Sequence, residues 1–169
     1  TAISDVLLLS GGYWYDREIF EEAGIKKLPE TWDEFLEVCE KIEGWAEEEQ
    51  NGVECLQMSQ EAYLYFMDHL LAVQDSVSGN AIRNQRLYLE ESSAKEALDM
   101  LRKIYRYSRA DGNYSYRDET DAFNDGKTAM YINGIWGAPM ISDQIDAAYA
   151  LIPSEEGEKI SCESACLGY

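Results

Sequence analysis

The sequence predicts an α/β fold, in which helices alternate with short strands over 169 residues. Two helix starts, at Thr31 and at Ser93, carry Glu three residues later, and each opens an apolar stripe at helical spacing. Short apolar runs typical of buried strands stand between the helices, and Thr128–Asn133 is the clearest of them. The length fits one domain of ordinary size, so residues 1–169 are expected to form a single α/β unit.

The first third of the chain contains an extended segment, a short helix and a long helix. Apolar and aromatic residues around Gly11-Gly12 predict extended chain over Ser4–Tyr15 with a turn in its middle. A short helix is expected over Asp16–Ala23, ended by Gly24. The Thr31–Glu34 capping box then starts a helix whose apolar stripe is formed by Trp32, Phe35, Leu36, Cys39, Ile42 and Trp45.

The remaining elements continue the alternation. They are predicted, in chain order, as a strand over Val53–Met58, a helix over Glu61–Val73, a turn over Ser76–Asn80, a strand over Arg83–Leu89, a helix that starts at Ser93, a short helix over Asp118–Asn124, the strand Thr128–Asn133, a helix over Ala138–Ile145, a strand over Ala148–Ile152 and a turn over Ser154–Gly157. Pro153 ends the last strand, because proline has no amide hydrogen for the sheet.

Acidic residues dominate the charge of the chain. Fourteen Lys and Arg against 33 Asp and Glu give a net charge of −19. Such a field repels nucleic acid and anionic lipid, so neither is expected as a partner. Much of the acid lies over Asp33–Glu49, which is interpreted as a solvated helix face. The alternative is an acidic module that binds a basic protein partner.

Side chains that carry catalysis or bind metals are scarce. His69 is the only histidine and lies in an apolar helical pattern, and no nucleophile, zinc or phosphate-binding motif occurs. We therefore predict no catalytic residue, no metal and no cofactor. The alternative from another class is a sugar-active hydrolase with paired carboxylates, which 33 acidic residues leave open.

The four cysteines do not form a disulfide framework. Cys162 and Cys166 would lie roughly 13 Å apart on one face of a strand, too far to bridge. All four are interpreted as small buried side chains or free thiols. A Cys39–Cys55 bridge between a helix and the next strand is the alternative.

Aromatic residues are the most informative class for function. The chain holds 4 Trp and 12 Tyr against 4 Phe, and both abundant types combine a flat apolar ring with a polar tip. Sugars suit such rings, because they offer C–H faces for stacking and hydroxyls for hydrogen bonds. Tyr13 and Trp14 form one candidate cluster. Trp136 is another candidate, because it follows Gly134 at a strand exit, where ligands bind in open α/β sheets.

Three stretches resemble blocks of one protein family. Residues 15–20, with Ala23-Gly24-Ile25 and residues 29–35, are similar to a "YNKDLF…AG…PKTWDEF" block. Residues 122–136 resemble an "AFxxGKxAMxINGxW" block, and residues 149–153 resemble the strand and proline that follow it. In these blocks the chain resembles the maltodextrin-binding-like group of family 1 extracellular solute-binding proteins, which serve ABC importers of sugars.

The resemblance implies a periplasmic-binding-protein type II fold, with a mixed sheet flanked by helices in each of two lobes. The chain would be most of the second lobe, without the first lobe and the C-terminal return to the second. It would bind a mono- or oligosaccharide and deliver it to the permease subunits of an ABC importer. The location implied is extracellular or periplasmic, with a lipoprotein anchor in the full-length protein. An isolated lobe is expected to self-associate through exposed apolar surface.

Three residues correspond to sugar contacts of the family. Glu61 and Tyr63 resemble an "EPYF" stretch that supplies a carboxylate and a stacking ring, and Trp136 resembles the stacking tryptophan of the family. Together with the aromatic and glycine positions above, the predicted ligand-binding residues are Trp136, Tyr63, Glu61, Tyr13, Trp14 and Gly134.

Overall fold

The computed structural model describes residues 6–10, 12–59, 91–108, 115–153 and 162–166. Its elements are, in chain order, β1 (Val6–Ser10), β2 (Gly12–Asp16), α1 (Arg17–Glu22), α2 (Trp32–Glu49), β3 (Glu54–Gln57), α3 (Glu91–Tyr105), α4 (Tyr116–Asn124), β4 (Thr128–Ile132), a 3₁₀ helix (Ile135–Met140), β5 (Ala147–Leu151) and β6 (Cys162–Cys166). The α/β class is confirmed. The predictions that lie outside the described residues are the helix Glu61–Val73, the turn Ser76–Asn80, the strand Arg83–Leu89 and the turn Ser154–Gly157.

A four-stranded mixed sheet, in the order β3-β4-β2-β5, forms the centre of the described chain. β3 runs parallel to β4, whereas β2 is antiparallel to both β4 and β5. Parallel neighbours require a crossover, and α3 and α4 lie in the segment that joins β3 to β4. In this order β2 and β4 are the two central strands. The chain that leaves β4 therefore starts from a strand that is paired with a neighbour on each side.

Successive side chains of β2 point to opposite faces of this sheet, as the two-residue period of a strand requires. Tyr13 joins the main apolar cluster, to which α2 and α3 contribute. Trp14 joins a second cluster on the other face, with Phe123 of α4 and Tyr131 of β4. The strand register agrees with this division, because Trp14 lies directly opposite Tyr131. The second cluster lies next to the exit of β4.

The two helices near the start of the chain have the ends that the sequence predicts. Asp16 caps α1, since its Oδ1 accepts a hydrogen bond from the Glu18 amide at 2.9 Å, and Gly24 follows with a φ of +71°. At α2, Thr31 Oγ1 accepts from the Glu34 amide and Glu34 Oε2 accepts from the Thr31 amide, both at 3.3 Å. The capping box at Thr31 is therefore confirmed.

The apolar stripe of α2 covers the main cluster. The buried residues of this helix are Trp32, Phe35, Val38, Cys39, Ile42 and Ala46, while Leu36 and Trp45 are partly buried. Burial of each large apolar side chain contributes about 1.5–3 kcal/mol. The acidic residues from Glu37 to Glu49 are all exposed, which agrees with a solvated face.

The helix α3 begins earlier than the sequence predicts. It starts at Glu91, so Ser93 lies inside the helix and the prediction of Ser93 as its N-cap was wrong. The capping box of α4 is one that the sequence analysis missed: Ser115 Oγ accepts from the Asp118 amide at 3.3 Å, and Asp118 Oδ2 accepts from the Ser115 amide at 2.9 Å.

The predicted helix over Ala138–Ile145 was also wrong. The chain instead forms a 3₁₀ helix over Ile135–Met140, leaves it at Ile141 with a ψ of 134° and continues in turns. Two hydrogen bonds from the side chain of Asn124, the last residue of α4, to the backbone of this segment cause the difference. The strands expected over Val53–Met58 and Thr128–Asn133 are present with slightly shorter bounds, as β3 and β4, and the strand expected over Ala148–Ile152 is present as β5, one residue earlier.

A separate two-stranded ribbon is formed by the ends of the chain. β1 pairs with β6 in antiparallel register, with Val6 opposite Cys166 and Ser10 opposite Cys162. The ribbon contacts the 3₁₀ helix through β1. Within the described residues, no helix combines the length and the apolar composition needed to cross a membrane.

Candidate functional site

The chain that leaves β4 forms the start of the 3₁₀ helix. Gly134 is the N-cap, with a φ of −76° and a ψ of 170°. The side chain of Asn133 fixes this residue, because its Oδ1 accepts a hydrogen bond from the Gly134 amide at 2.8 Å. Both residues are buried. The 3₁₀ helix is thus attached directly to the exit of a central strand.

Trp136 is half-buried, and its six-membered ring lies directly against Gly134. A Cβ atom added to Gly134 would overlap Cζ3 of this ring. Since any residue can adopt the φ of Gly134, glycine is required here for space and not for backbone freedom. Ile135 and Met140 of the same helix are exposed to 38% and 39%. We call Gly134, Trp136 and the 3₁₀ helix the Trp136 platform.

Trp14 reaches Gly134 from the neighbouring strand. Its indole Nε1 donates a hydrogen bond to the Gly134 carbonyl oxygen at 3.1 Å. The indole is only 8% exposed, and its ring centroid lies 5.0 Å from that of Tyr149 on β5. Trp14 therefore lies beneath the platform, between the sheet and the backbone on which the Trp136 ring rests.

Asn124, the last residue of α4, holds the other end of the 3₁₀ helix. Its Nδ2 donates to the carbonyl oxygen of Met140 at 2.9 Å, and its Oδ1 accepts from the amide of Ser142 at 2.8 Å. The two polar atoms of the Asn124 side chain thus bond to the residues immediately before and after Ile141. These bonds satisfy backbone groups that a continuing helix would otherwise have paired, so the chain turns out of the helix at Ile141.

The middle of the 3₁₀ helix rests on three polar side-chain atoms. A Cβ atom added to Gly137 would lie 2.9 Å from Asn133 Nδ2, 3.0 Å from Tyr131 Oη and 3.3 Å from Trp14 Nε1. Any side chain at residue 137 would push the helix away from the sheet. Gly137 therefore lets the platform lie close on the second cluster.

Among the predicted ligand-binding residues that the structure describes, Tyr13 lies away from the platform. Tyr13 is fully buried in the main cluster, where its ring packs edge-on against Phe35 at 5.4 Å. Burial raises the pKa of its hydroxyl far above the usual value. A ring enclosed in this way offers no free face, which favours a core role for Tyr13. Glu61 and Tyr63 lie outside the described residues, so their roles stay predictions.

The residues that form and hold the platform carry no formal charge: Trp14, Asn124, Asn133, Gly134 and Trp136. Burial also raises the pKa of the nearby Tyr149 hydroxyl, which keeps it neutral. Rings and amides in this arrangement suit a neutral, hydroxylated ligand better than an ion. Among the described residues, no group of three or more His, Cys, Asp or Glu side chains could hold a metal ion.

Two clefts lie elsewhere on the described part of the chain. A cleft of about 630 Å³ is lined by Tyr15 of β2, by residues of α1 such as Phe20 and by the segment after α1, which includes Leu28. Another, of about 390 Å³, lies between the end of α2, β3 and residues 106–108. Neither of these two clefts is lined by Trp136.

The mixed sheet with flanking helices has the architecture of type II periplasmic binding proteins. The chain belongs to the bacterial extracellular solute-binding protein family, whose model matches residues 8–168. The multiple sugar-binding protein of Streptococcus mutans is 30% identical in an alignment 156 positions long, which covers 79% of this chain and 33% of that protein. The chain thus spans about a third of the length of this curated relative.

Solved structures share the fold at low sequence identity. A chitin oligosaccharide binding protein superposes with a TM-score of 0.76 at 16% identity, over 97% of this chain and 42% of that one. The apo form of RafE from Streptococcus pneumoniae gives a TM-score of 0.70 at 24% identity, over 95% of this chain and 43% of the other. The type II binding-protein fold implied by the sequence is therefore confirmed.

Sequence analysis named Trp136, Gly134 and Trp14 as candidate residues but did not single out Asn133 and Asn124. Asn133 and Asn124 both lie within the block of residues 122–136 that carried the resemblance. A polar residue next to a glycine at a strand exit is a usable signal for Asn133, since short polar side chains bond to nearby backbone. Asn124 gives no such signal, because its partners lie 16 and 18 residues further along the chain.

Proposed function

We propose that this chain is the carbohydrate-binding lobe of an extracellular solute-binding protein that delivers sugar to an ABC importer. The observation that carries the proposal is the Trp136 platform, in which a half-buried indole lies on Gly134 between exposed apolar side chains. An indole has a flat apolar ring and a polar edge, so it can stack on the C–H face of a sugar. The multiple sugar-binding protein among the relatives supports the same ligand class.

The ligand is a neutral mono- or oligosaccharide that a second lobe encloses. The chain covers 33% of its S. mutans relative, which supports a larger protein with another lobe. Ligand sites bury most of the ligand surface, and a single stacking platform covers only one side of a sugar. Closure of two lobes on the ligand then couples binding to docking on the permease.

Further contacts to the sugar come from the segment that follows β3. By the resemblance, Glu61 supplies a carboxylate that accepts hydrogen bonds from sugar hydroxyls, and Tyr63 supplies a second stacking ring. Gly134 acts as the support of the Trp136 ring. Trp14 supports the platform from beneath, Tyr13 belongs to the main cluster on the other face of the sheet, and neither contacts the ligand.

Binding without chemical change is the activity that we propose, and the protein is not an enzyme. Its family and the named relatives are binding proteins, which supports this assignment. The alternative of a sugar-active hydrolase with paired carboxylates is tested directly by incubation with oligosaccharides and chromatography of the mixture. Unchanged oligosaccharide after prolonged incubation is the expected result, and released product would favour the hydrolase.

The full-length protein acts outside the cytoplasmic membrane, held there by a lipid anchor, and its partners are the permease subunits. The family description supports the extracellular location. In the isolated lobe, we expect self-association through exposed apolar side chains, among them Leu28, Leu98, Tyr105, Ile135 and Met140.

The proposal is tested by a thermal-shift panel of mono- and oligosaccharides on a two-lobed protein that contains this chain. A bound ligand raises the unfolding temperature in proportion to RT ln(1 + [L]/Kd), so at least one sugar should stabilise the protein. Trp136→Ala should reduce that shift, whereas Trp45→Phe, a change on α2 in the main cluster, should not. Stabilisation by amino acids or peptides and by none of the sugars would contradict the proposed function.

A further inference from the structure

We infer that Trp14 and Asn124 are positioning residues that hold the Trp136 platform in its binding shape before any ligand arrives. The inference rests on the proposed function, because it concerns the same ring. It differs from a ligand-contact role, since both residues act on the backbone that carries Trp136. One residue holds each end of the 3₁₀ helix.

The N-terminal end is held through the carbonyl group of Gly134. Its oxygen accepts from Trp14 Nε1 at 3.1 Å and also from the Gly137 amide at 3.1 Å. A carbonyl oxygen has two lone pairs, so these two bonds use its full capacity. The Gly134 peptide is therefore fixed by one bond from the sheet and one from the helix, and the Trp136 ring lies on that peptide.

The C-terminal end is held by the amide group of Asn124. Donation to the Met140 oxygen and acceptance from the Ser142 amide tie α4 to both sides of Ile141. The side chain of Asn124 is partly buried, as is that of Ser142. Because both ends of one amide are engaged, rotation of the Asn124 side chain would break two bonds together. This end can thus move only if α4 releases it.

A short 3₁₀ helix needs such anchors. It spans six residues, contains Pro139 and has poorer hydrogen-bond geometry than an α-helix. Without fixed ends it would sample several shapes, and a ligand would have to order it on binding. Order that exists before binding removes that cost from the binding free energy. The two anchors thus raise affinity without touching the sugar.

The surroundings of Trp14 argue against direct contact with ligand. The indole is 8% exposed, and its only donor atom is already engaged with Gly134. One side of the ring is packed on Tyr149, with the centroids 5.0 Å apart. Trp14 therefore affects the position of the Gly134 backbone, and through it the position of the Trp136 ring.

The test uses Trp14→Phe and Asn124→Ala in the two-lobed protein, with the sugar found in the panel above. Trp14→Phe keeps an aromatic ring and removes the N–H donor. Trp14→Phe loses one hydrogen bond and should weaken sugar binding about fivefold, and Asn124→Ala loses two and should weaken it at least as much. The matched controls are Trp45→Phe and Asn51→Ala, which removes a 2.9 Å bond to the Val53 amide far from the platform. Both controls should keep wild-type affinity.

A spectroscopic measurement without sugar separates positioning from contact. In protein labelled with 5-fluorotryptophan, the ¹⁹F resonance of Trp136 is assigned by its loss in Trp136→Phe. If Trp14 and Asn124 position the ring, this resonance should shift or broaden in both variants in the absence of ligand. A residue that only contacts sugar would leave it unchanged. The measurement stays informative if one variant is too unstable for titration.

The outcomes for the inference and for the proposed function are distinct. Weakened binding together with an altered Trp136 resonance in both variants supports the inference. Wild-type affinity in either variant, while Trp136→Ala weakens binding, overturns the two-anchor inference and leaves the proposed function intact. Wild-type affinity in Trp136→Ala overturns the proposed function itself.

Discussion

The indole nitrogen of Trp14 lies 3.1 Å from the carbonyl oxygen of Gly134, a residue 120 positions further along the chain. The bond forms because β2 and β4 are neighbours and Trp14 lies directly opposite Tyr131, three residues before Gly134. The Trp136 ring rests on the same glycine. The shape of the platform therefore depends on the assembled sheet, and the local sequence alone does not determine it.

Gly134→Ala should both destabilise the protein and weaken sugar binding. The added methyl group would overlap the Trp136 ring, and overpacking of this kind costs about 1–3 kcal/mol. Urea unfolding measures the stability, and calorimetry of the two-lobed protein measures the affinity. The control is Gly44→Ala, an exposed helix position with nothing within 4 Å, which should gain about 0.5–1 kcal/mol. If the two variants had the same stability and the same sugar affinity, close contact between the Trp136 ring and Gly134 would be refuted.

The capping box of α2 should make part of the stability depend on pH. Hydrogen bonds from the backbone amides of Glu30 and Thr31 hold the pKa of the Glu34 carboxyl below its ordinary value of 4.5. The unfolded chain then binds the proton more readily, so this contribution is present above the unfolded pKa and is lost as pH falls through the folded one. At about pH 6, the Glu34→Gln variant should therefore be less stable to unfolding than the wild type. The stabilities of the two proteins should converge as the pH falls towards about 3.

Urea midpoints across that range measure the effect. Glu37→Gln on the exposed face of α2 is the matched control, because it removes the same charge without a capping bond. If the difference in urea midpoint between wild type and Glu34→Gln stayed constant with pH, the role of the carboxylate in the cap would be contradicted.

Cys39 and Cys55 should resist alkylation in the folded protein. Both are buried free thiols. Burial raises the pKa of the Cys55 thiol well above its usual value, and a hydrogen bond with Cys39 adds to the shift. A raised pKa means less thiolate at a given pH, and thiolate is the form that alkylates. Peptide mass spectrometry after iodoacetamide at about pH 8 should find both unmodified in buffer and modified in urea. Equal labelling in the two conditions would show that the pair is accessible.

The isolated 169-residue chain should bind sugar weakly. A single stacking platform covers one side of the ligand, whereas tight sites enclose about 70–90% of a ligand's surface. Calorimetric titration with the sugar that stabilises the two-lobed protein should show no saturation below about 1 mM. Micromolar binding by the isolated chain would contradict the two-lobed model.

Local signals predicted the elements that local contacts determine. The Thr31–Glu34 box marked the start of α2 correctly, because both partners of a cap lie within one turn. The apolar run before Gly134 likewise marked β4, which is buried at every position. The same reasoning failed at Ser93, since a Ser-x-x-Glu pattern can also occur inside a helix that starts earlier.

Distant contacts determine the parts that the sequence could not predict. The helix expected over Ala138–Ile145 is absent because Asn124, on another element, bonds to backbone on both sides of Ile141. The candidate site shows the same limit. Tyr13 and Trp14 are adjacent aromatic residues, and the sequence predicts both equally as ligand contacts. Because successive residues of a strand point to opposite faces, Tyr13 is buried in the main cluster and Trp14 lies beneath Gly134.

The central claim is that Trp136 is the surface on which sugar stacks, and calorimetric titration of Trp136→Ala in the two-lobed protein tests it most directly. The ring is half-buried, so its loss should cost stability of only about 1 kcal/mol, and the variant should fold. A tryptophan at the centre of a binding surface contributes strongly, so the dissociation constant should rise about tenfold or more. Severe loss of stability with an unchanged dissociation constant would show that Trp136 is a core residue and would contradict the account.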